Sequence, residues 1–168
     1  SMSGFFDQGE VPEGEVIADA LDQGTSGAGF DQLNDIECIE AHQGSTIDGR
    51  GALNGIEADL AGSSFKTNFF GQSLKTIVKG FSNILGSNQD DSIKGDDDAN
   101  VLMGMDGDDT ISGRGGSDKI LSGSGNDDIK AGDGNDVIEG GAGDDIIDGG
   151  TGDDKAVYTG QQSEYKIS

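Results

Sequence analysis

The 168-residue chain has one cysteine, one proline, no tryptophan and only ten lysines and arginines. A lone thiol, Cys38, can form no internal disulfide, so no covalent staple holds the fold. It reads as a small buried hydrophobe. With Pro12 as the single proline, the chain is neither collagen-like nor a proline-rich linker, although glycine occurs 31 times. No apolar run approaches the ~20 residues of a membrane span, so membrane insertion is not expected. No N-terminal secretory signal is visible. Ser1-Met2 reads as a cloning remnant at the head of a flexible lead-in covering residues 1–15.

What the chain has in excess is carboxylate. Acidic residues outnumber basic ones 33 to 10, for a formal net charge of −23. That balance argues against nucleic acid and anionic membranes as partners. It fits two kinds of chain: a disordered one, or one whose carboxylates await a cation. The order of the residues decides between them.

From Gly86 to Val157 the chain divides without a gap into eight nonapeptides: GSNQDDSIK, GDDDANVLM, GMDGDDTIS, GRGGSDKIL, SGSGNDDIK, AGDGNDVIE, GGAGDDIID and GGTGDDKAV. The eighth position holds Ile93, Leu102, Ile111, Ile120, Ile129, Ile138, Ile147 and Ala156. The sixth holds Asp91, Asn100, Asp109, Asp118, Asp127, Asp136, Asp145 and Asp154. The fourth is Gln89, Asp98 and then glycine in every repeat from Gly107 to Gly152. Columns this regular speak against disorder and for a stacked repeat architecture.

These residues resemble the glycine- and aspartate-rich nonapeptide of the RTX (repeats-in-toxin, hemolysin-type calcium-binding) family, G-G-x-G-x-D-x-U-x with U a large aliphatic. The last three repeats lie nearest the motif. The first two depart from it at Gln89, Asp98 and Asn100, which puts metal binding at that end in doubt. The resemblance implies an all-β fold: a right-handed parallel β-roll, or β-solenoid, with calcium ions between its stacked turns.

Each nonapeptide reads physically as a turn followed by a strand of two or three residues. Glycine at positions one, two and four would supply angles that a β-carbon makes costly. Asn or Asp at position five would tolerate a left-handed conformation. Two nonapeptides close one coil, so odd repeats stack on one edge and even repeats on the other. The inward aliphatics form a thin core with no aromatic in it, and only the stack can hide it.

That core cannot by itself outweigh the cost of ordering 17 glycines between residues 86 and 157, at on the order of 1–2 kcal/mol per residue. The same span carries 19 acidic and 5 basic residues, so stacking brings like charges together. A hard cation taking 6–8 oxygens, from carboxylates and backbone carbonyls together, removes both obstacles, as calcium does. Magnesium demands stricter octahedral geometry, and zinc or copper would want more than His42 and Cys38. The expected calcium ligands are Asp109, Asp118, Asp127, Asp136, Asp145 and Asp154, each carboxylate bridging two ions, with weaker sites at Asp91 and Asn100. Backbone carbonyls around Gly104, Gly107, Gly113, Gly116, Gly123, Gly125, Gly132, Gly134, Gly141, Gly143, Gly150 and Gly152 would complete the shells. Along one edge Asp109 pairs with Asp127 and Asp127 with Asp145. Along the other, Asp118 pairs with Asp136 and Asp136 with Asp154.

Upstream, residues 16–85 read as degenerate, metal-poor coils. Residues 40–57 split into two further nonapeptides with Ile47 and Ile56 nine apart, and 16–41 echoes the stretch that begins at Ile56. An aromatic-rich insertion at about 58–81 holds four of the seven phenylalanines. Leu74, Ile77, Val78 and Phe81 fit one helix face, while TIV also fits a strand. It fits a helix packed over the open end of the roll or an excursion between longer coils, and since solenoid ends need covering, capping is the preferred role over a binding surface. Residues 158–168, with Tyr158, Tyr165 and Ile167, read as a capping strand and the start of a C-terminal flank.

No catalytic constellation appears. His42 stands alone, and carboxylates on a nine-residue period serve stacking rather than one acid–base pair. The resemblance implies a monomeric module of a larger bacterial protein, exported by type I secretion and folding on calcium outside the cell or at its surface. An uncleaved secretion signal would lie beyond Ser168. The alternative is a carbohydrate-binding or adhesive module of a polysaccharide-active enzyme or surface adhesin. For that, Lys94, Arg114, Lys119 and Lys130 are too sparse to form a basic strip.

Overall fold

The computed structural model describes residues 38–158, apart from 51, 53, 70 and 71. The lead-in, most of the 16–41 echo, and Tyr165 and Ile167 lie outside the described residues. Everything described is strand or turn, with no helix among these residues.

The nonapeptides alternate between two flanks. One carries β5 (Ser92–Lys94), β7 (Thr110–Gly115), β9 (Asp128–Asp133) and β11 (Ile146–Thr151), each parallel to the next. The other carries β6 (Val101–Asp106), β8 (Lys119–Ser124), β10 (Val137–Ala142) and β12 (Lys155–Val157), likewise parallel. The register advances by two nonapeptides per rung: Ile93 pairs with Ile111, Ile111 with Ile129, and Ile129 with Ile147. Leu102, Ile120, Ile138 and Ala156 do the same opposite. This is the parallel β-solenoid that the repeat implies.

Most of the strands are longer than two or three residues. Those from β6 to β11 run to six, because positions one to three also join the ladder, as in Met105 with Gly123 and Asp106 with Ser124. Two positions per repeat therefore face inward, the eighth and the first. Ser122 and Ala131 are as buried as Ile120 and Ile129.

At the N-terminal end, β2 (Ile56–Asp59) sits on β5 and the last residues of β4 (Gln72–Leu85) sit on β6. Between them β3 (Ser64–Phe69) pairs antiparallel with both β2 and β4, joining the two flanks across the top. The insertion is thus an antiparallel ribbon. Its β-branched and aromatic content favours strand over the competing helical spacing. β1 (Cys38–Asp48) pairs parallel with β4, placing Ile47 on Ile84 in the inward column.

Ile56 does not continue its column. Ala58 pairs with Ile93, so the frame has slipped by two and Ile56 stands level with Asp91, in the sixth position. The antiparallel pairing with β3 fixes that offset. Leu60, Phe65, Val78 and Phe81 are buried with Ile47 and Ile56, so the wider, aromatic part of the core lies at this end.

Glycine in the turns has two separate causes. Second- and fourth-position glycines such as Gly132 (φ 113°) and Gly134 (φ 139°) occupy left-handed space. A Cβ on Gly134 would strike the Gly116 carbonyl oxygen of the coil before it. First-position glycines do not have positive φ, and neither do the fifth-position Asn and Asp, contrary to the expectation for both.

In the calcium-saturated protein Ile129→Ala, at a fully buried rung, should lower unfolding free energy by about 2–5 kcal/mol. Ile146→Ala on the exposed face, where Ile146 is 68% exposed, should stay within about 0.5 kcal/mol. Gly134→Ala should cost on the order of 1–3 kcal/mol from backbone strain alone. Denaturant unfolding curves measure all three.

Candidate metal centre

From Asp91 to Asp136 the sixth-position side chains lie inside the two edges of the solenoid, while Asp154 in the last coil is exposed. Loops 86–91, 104–109, 122–127 and 140–145 stack on the first edge; loops 95–100, 113–118, 131–136 and 149–154 stack on the second. Asp109, Asp118, Asp127 and Asp136 are at most 2% exposed, a burial that carboxylates accept only when their oxygens are partnered.

One oxygen of each is partnered by the coil before it. The Asp91 amide donates to Asp109 Oδ1 at 2.8 Å, Asp109 to Asp127 Oδ1 at 2.8 Å, and Asp127 to Asp145 Oδ1 at 3.1 Å. On the second edge the amides of Asn100, Asp118 and Asp136 donate to Oδ1 of Asp118, Asp136 and Asp154 at 2.9, 2.7 and 3.1 Å. The structure thus brings together the aspartates paired by period.

The remaining oxygen has no partner. Oδ2 of Asp109, Asp118, Asp127 and Asp136 is buried without a hydrogen bond. At the first two it meets a second acceptor. Asp109 Oδ2 and the Ser122 carbonyl oxygen border the same methyl-sized space beside Gly104, as do Asp118 Oδ2 and the Ala131 carbonyl oxygen beside Gly113. First-position glycine is therefore a matter of room. Two oxygens converging with no donor between them repel, and that is the arrangement a hard cation stabilises. No group of three or more His, Cys, Asp or Glu side chains converges among the described residues. An ion here would take carboxylate and backbone oxygen together, so the residues fit calcium.

The matched family agrees. The family model for the RTX calcium-binding nonapeptide repeat (4 copies) matches residues 85–120, 94–129 and 121–156. The chain carries RTX calcium-binding repeats. No curated protein matches it. As RTX repeats, these coils form a calcium-binding β-roll module, which is a structural unit rather than a catalytic fold.

The carbonyls sort differently from the expected set. Those of Gly104 and Gly113 face Asp91 Oδ2 and Asn100 Oδ1. Those of Gly107, Gly116, Gly125 and Gly134 press instead on the glycine α-carbons of the next coil, as do those of Gly123 and Gly132. Gly141, Gly143, Gly150 and Gly152 belong to the last described coil. The carbonyls of Ser122 and Ala131, which border the aspartate oxygens, are the immediate neighbours of Gly123 and Gly132. Their place in the register, one residue before the expected Gly123 and Gly132, was the available signal.

Asp91 and Asn100 differ from the rest. Asp91 Oδ2 accepts the Ser87 amide at 2.6 Å, and its Oδ1 accepts the Ser87 hydroxyl at 2.8 Å and the Ile56 amide at 2.7 Å. Asn100 Oδ1 accepts the Asp96 amide at 2.9 Å while its Nδ2 donates to Asp96 Oδ1 at 3.1 Å. Side chains of the first two turns close those loops themselves.

A second ladder runs the opposite way outside the first. The Asp108 amide donates to Asp90 Oδ1 at 2.9 Å, Asn126 to Asp108 Oδ1 at 2.7 Å, and Asp144 to Asn126 Oδ1 at 3.0 Å. On the other edge Asp153 donates to Asn135 Oδ1 at 2.9 Å. Asn and Asp at position five serve this contact.

Burial pushes Asp109 from its ordinary 3.8 up to about 7, against the Asp91 amide and with repulsion from Asp91, Asp127 and Asp90. Burial likewise lifts Asp118 to about 6, with repulsion from Asp136 and Asp96. Metal-free, the folded coils bind protons more tightly than the unfolded chain. That stabilisation is complete below about pH 4 and lost as pH rises through about 6 to 7. In excess chelator, circular dichroism should therefore show β-structure increasing as pH falls from 8 to 5. In saturating calcium the trend should reverse, since protons compete with the ion.

Proposed function

We propose that this chain is a calcium-gated folding module of a larger secreted bacterial protein, kept open and exportable where calcium is scarce and closed where it is abundant. The observation that carries this reading is the set of four buried, partnerless carboxylate oxygens recurring at the stacking period. Asp109, Asp118, Asp127 and Asp136 would hold the ions, with Asp145 and Asp154 supplying the final coil. First-position carbonyls, Ser122 and Ala131 among them, would act as co-ligands.

The ions supply positive charge between coils, and the protein supplies everything else. The amide ladders aim the carboxylates, first-position glycines make room, and the aliphatic columns keep water from the ions' inner side. Binding energy then becomes folding energy, because the unfolded chain has no preformed site. Type I secretion and an extracellular or cell-surface location fit such a gate. So does a supporting role for the module rather than catalysis.

Titrating chelated protein with calcium should restore β-structure cooperatively at ~10⁻⁴–10⁻³ M, the range of extracellular modules. Full structure in excess chelator at pH 8 would overturn the proposal. Asp127→Asn should raise the calcium midpoint roughly tenfold or more, since affinity follows ligand charge. Asp128→Asn, on the exposed flank, should leave it unchanged.

A further inference from the structure

The top of the second edge is closed in an unusual way. Arg114 occupies a second-position slot, where glycine stands in each later repeat, and has a left-handed φ of 76°. An L-residue there is strained, as is Met105 (φ 92°) in the same slot one repeat earlier, but Arg114 also brings a cation to the junction. Its guanidinium Nη1 donates to Asp59 Oδ1 at 2.6 Å and to the Gly95 carbonyl oxygen at 2.6 Å, and Nη2 donates to Asp59 Oδ2 at 3.0 Å. This bidentate ion pair is partly buried, and it holds Asp59 below the usual carboxylate range.

The two acceptors are of the same two kinds that meet lower down, although Asp59 stands level with Lys94, in the ninth position rather than the sixth. Asp59 ends β2, the strand above β5, and Gly95 is the first residue of the next loop on that edge. A carboxylate from one coil and a first-position carbonyl from the coil below are what meet at Asp109 with Ser122 and at Asp118 with Ala131. There no donor lies between them; here a guanidinium does. The loop under Asp59 is also the one whose Asn100 is already closed by Asp96.

We infer that Arg114 is a built-in cation, standing at the top of the second edge where an ion would otherwise bridge Asp59 and Gly95. The N-terminal coil is consequently held to the roll without metal, and the calcium ladder starts below it. On the first edge Ile56, in the sixth position, removes the need for a cation altogether. The inference rests on the calcium reading only for what the displaced ion would be.

Two measurements on the full chain test it. In excess chelator, hydrogen exchange should leave the amides of Leu60, Gly95 and Gly115, which bond across this junction, better protected than those of residues 128–151. Arg114→Gln should erase about tenfold of that protection. In saturating calcium, Arg114→Gly removes backbone strain and frees the Asp59–Gly95 pair, so native mass spectrometry should count one more calcium than in the wild type. Adding Asp59→Asn should return the count to the wild-type value. An unchanged count in Arg114→Gly with wild-type circular dichroism, or unchanged protection in Arg114→Gln, overturns the inference. If neither protein binds calcium, the functional proposal fails, and the exchange result alone still decides whether Arg114 locks the coil.

Discussion

Two oxygens that face each other across successive coils, with no donor between them, set the terms for this structure. Buried acceptors without partners cost stability, and here the cost recurs at Asp109, Asp118, Asp127 and Asp136. A fold that repeats an unfavourable contact so regularly must have something else in that place. In RTX repeats that something is calcium. Each neighbouring feature follows from it: glycine or a small residue at position one leaves space for the carboxylate, and the amide of the coil before orients it.

The aliphatic columns are a partner to this arrangement rather than its driver. One Ile or Leu per nonapeptide, with a small first-position residue beside it, makes an interior too narrow for aromatics. Its role is geometric. It holds the flanks at a separation where edge loops stack in register, and the fifth- and sixth-position ladders, bonding in opposite directions, tie each coil to both neighbours.

The N-terminal end solves the same stacking problem with other means. Phe65 and Phe81 thicken the core, Ile56 replaces a carboxylate, Ser87 and Asp96 close their own loops, and Arg114 brings a charge of its own. The departures from the repeat at Gln89, Asp98 and Asn100 are therefore a change of mechanism rather than decay. Chemistry shifts along the axis from self-satisfied turns to turns that leave acceptors open.

By itself, the sequence determined the repeat, its inward aliphatic columns and its recurring aspartates, because they return every nine residues. That two repeats close one coil, so that aspartates 18 apart share an edge, came with the resemblance to RTX repeats and is seen in the strand pairing. Tertiary structure alone decided which oxygen of each carboxylate is free, that first-position carbonyls oppose it, that the 58–81 segment is a ribbon, and that Arg114 reaches Asp59. Those outcomes depend on contacts between particular atoms of different strands and coils, from Ser122 beside Asp109 to Arg114 on Asp59, 55 positions away. A periodic pattern states which residue types recur. It does not state which atoms of one coil point at which atoms of the next, and the frame slip that puts Ala58 rather than Ile56 on Ile93 comes from pairing with a strand that lies outside the repeat.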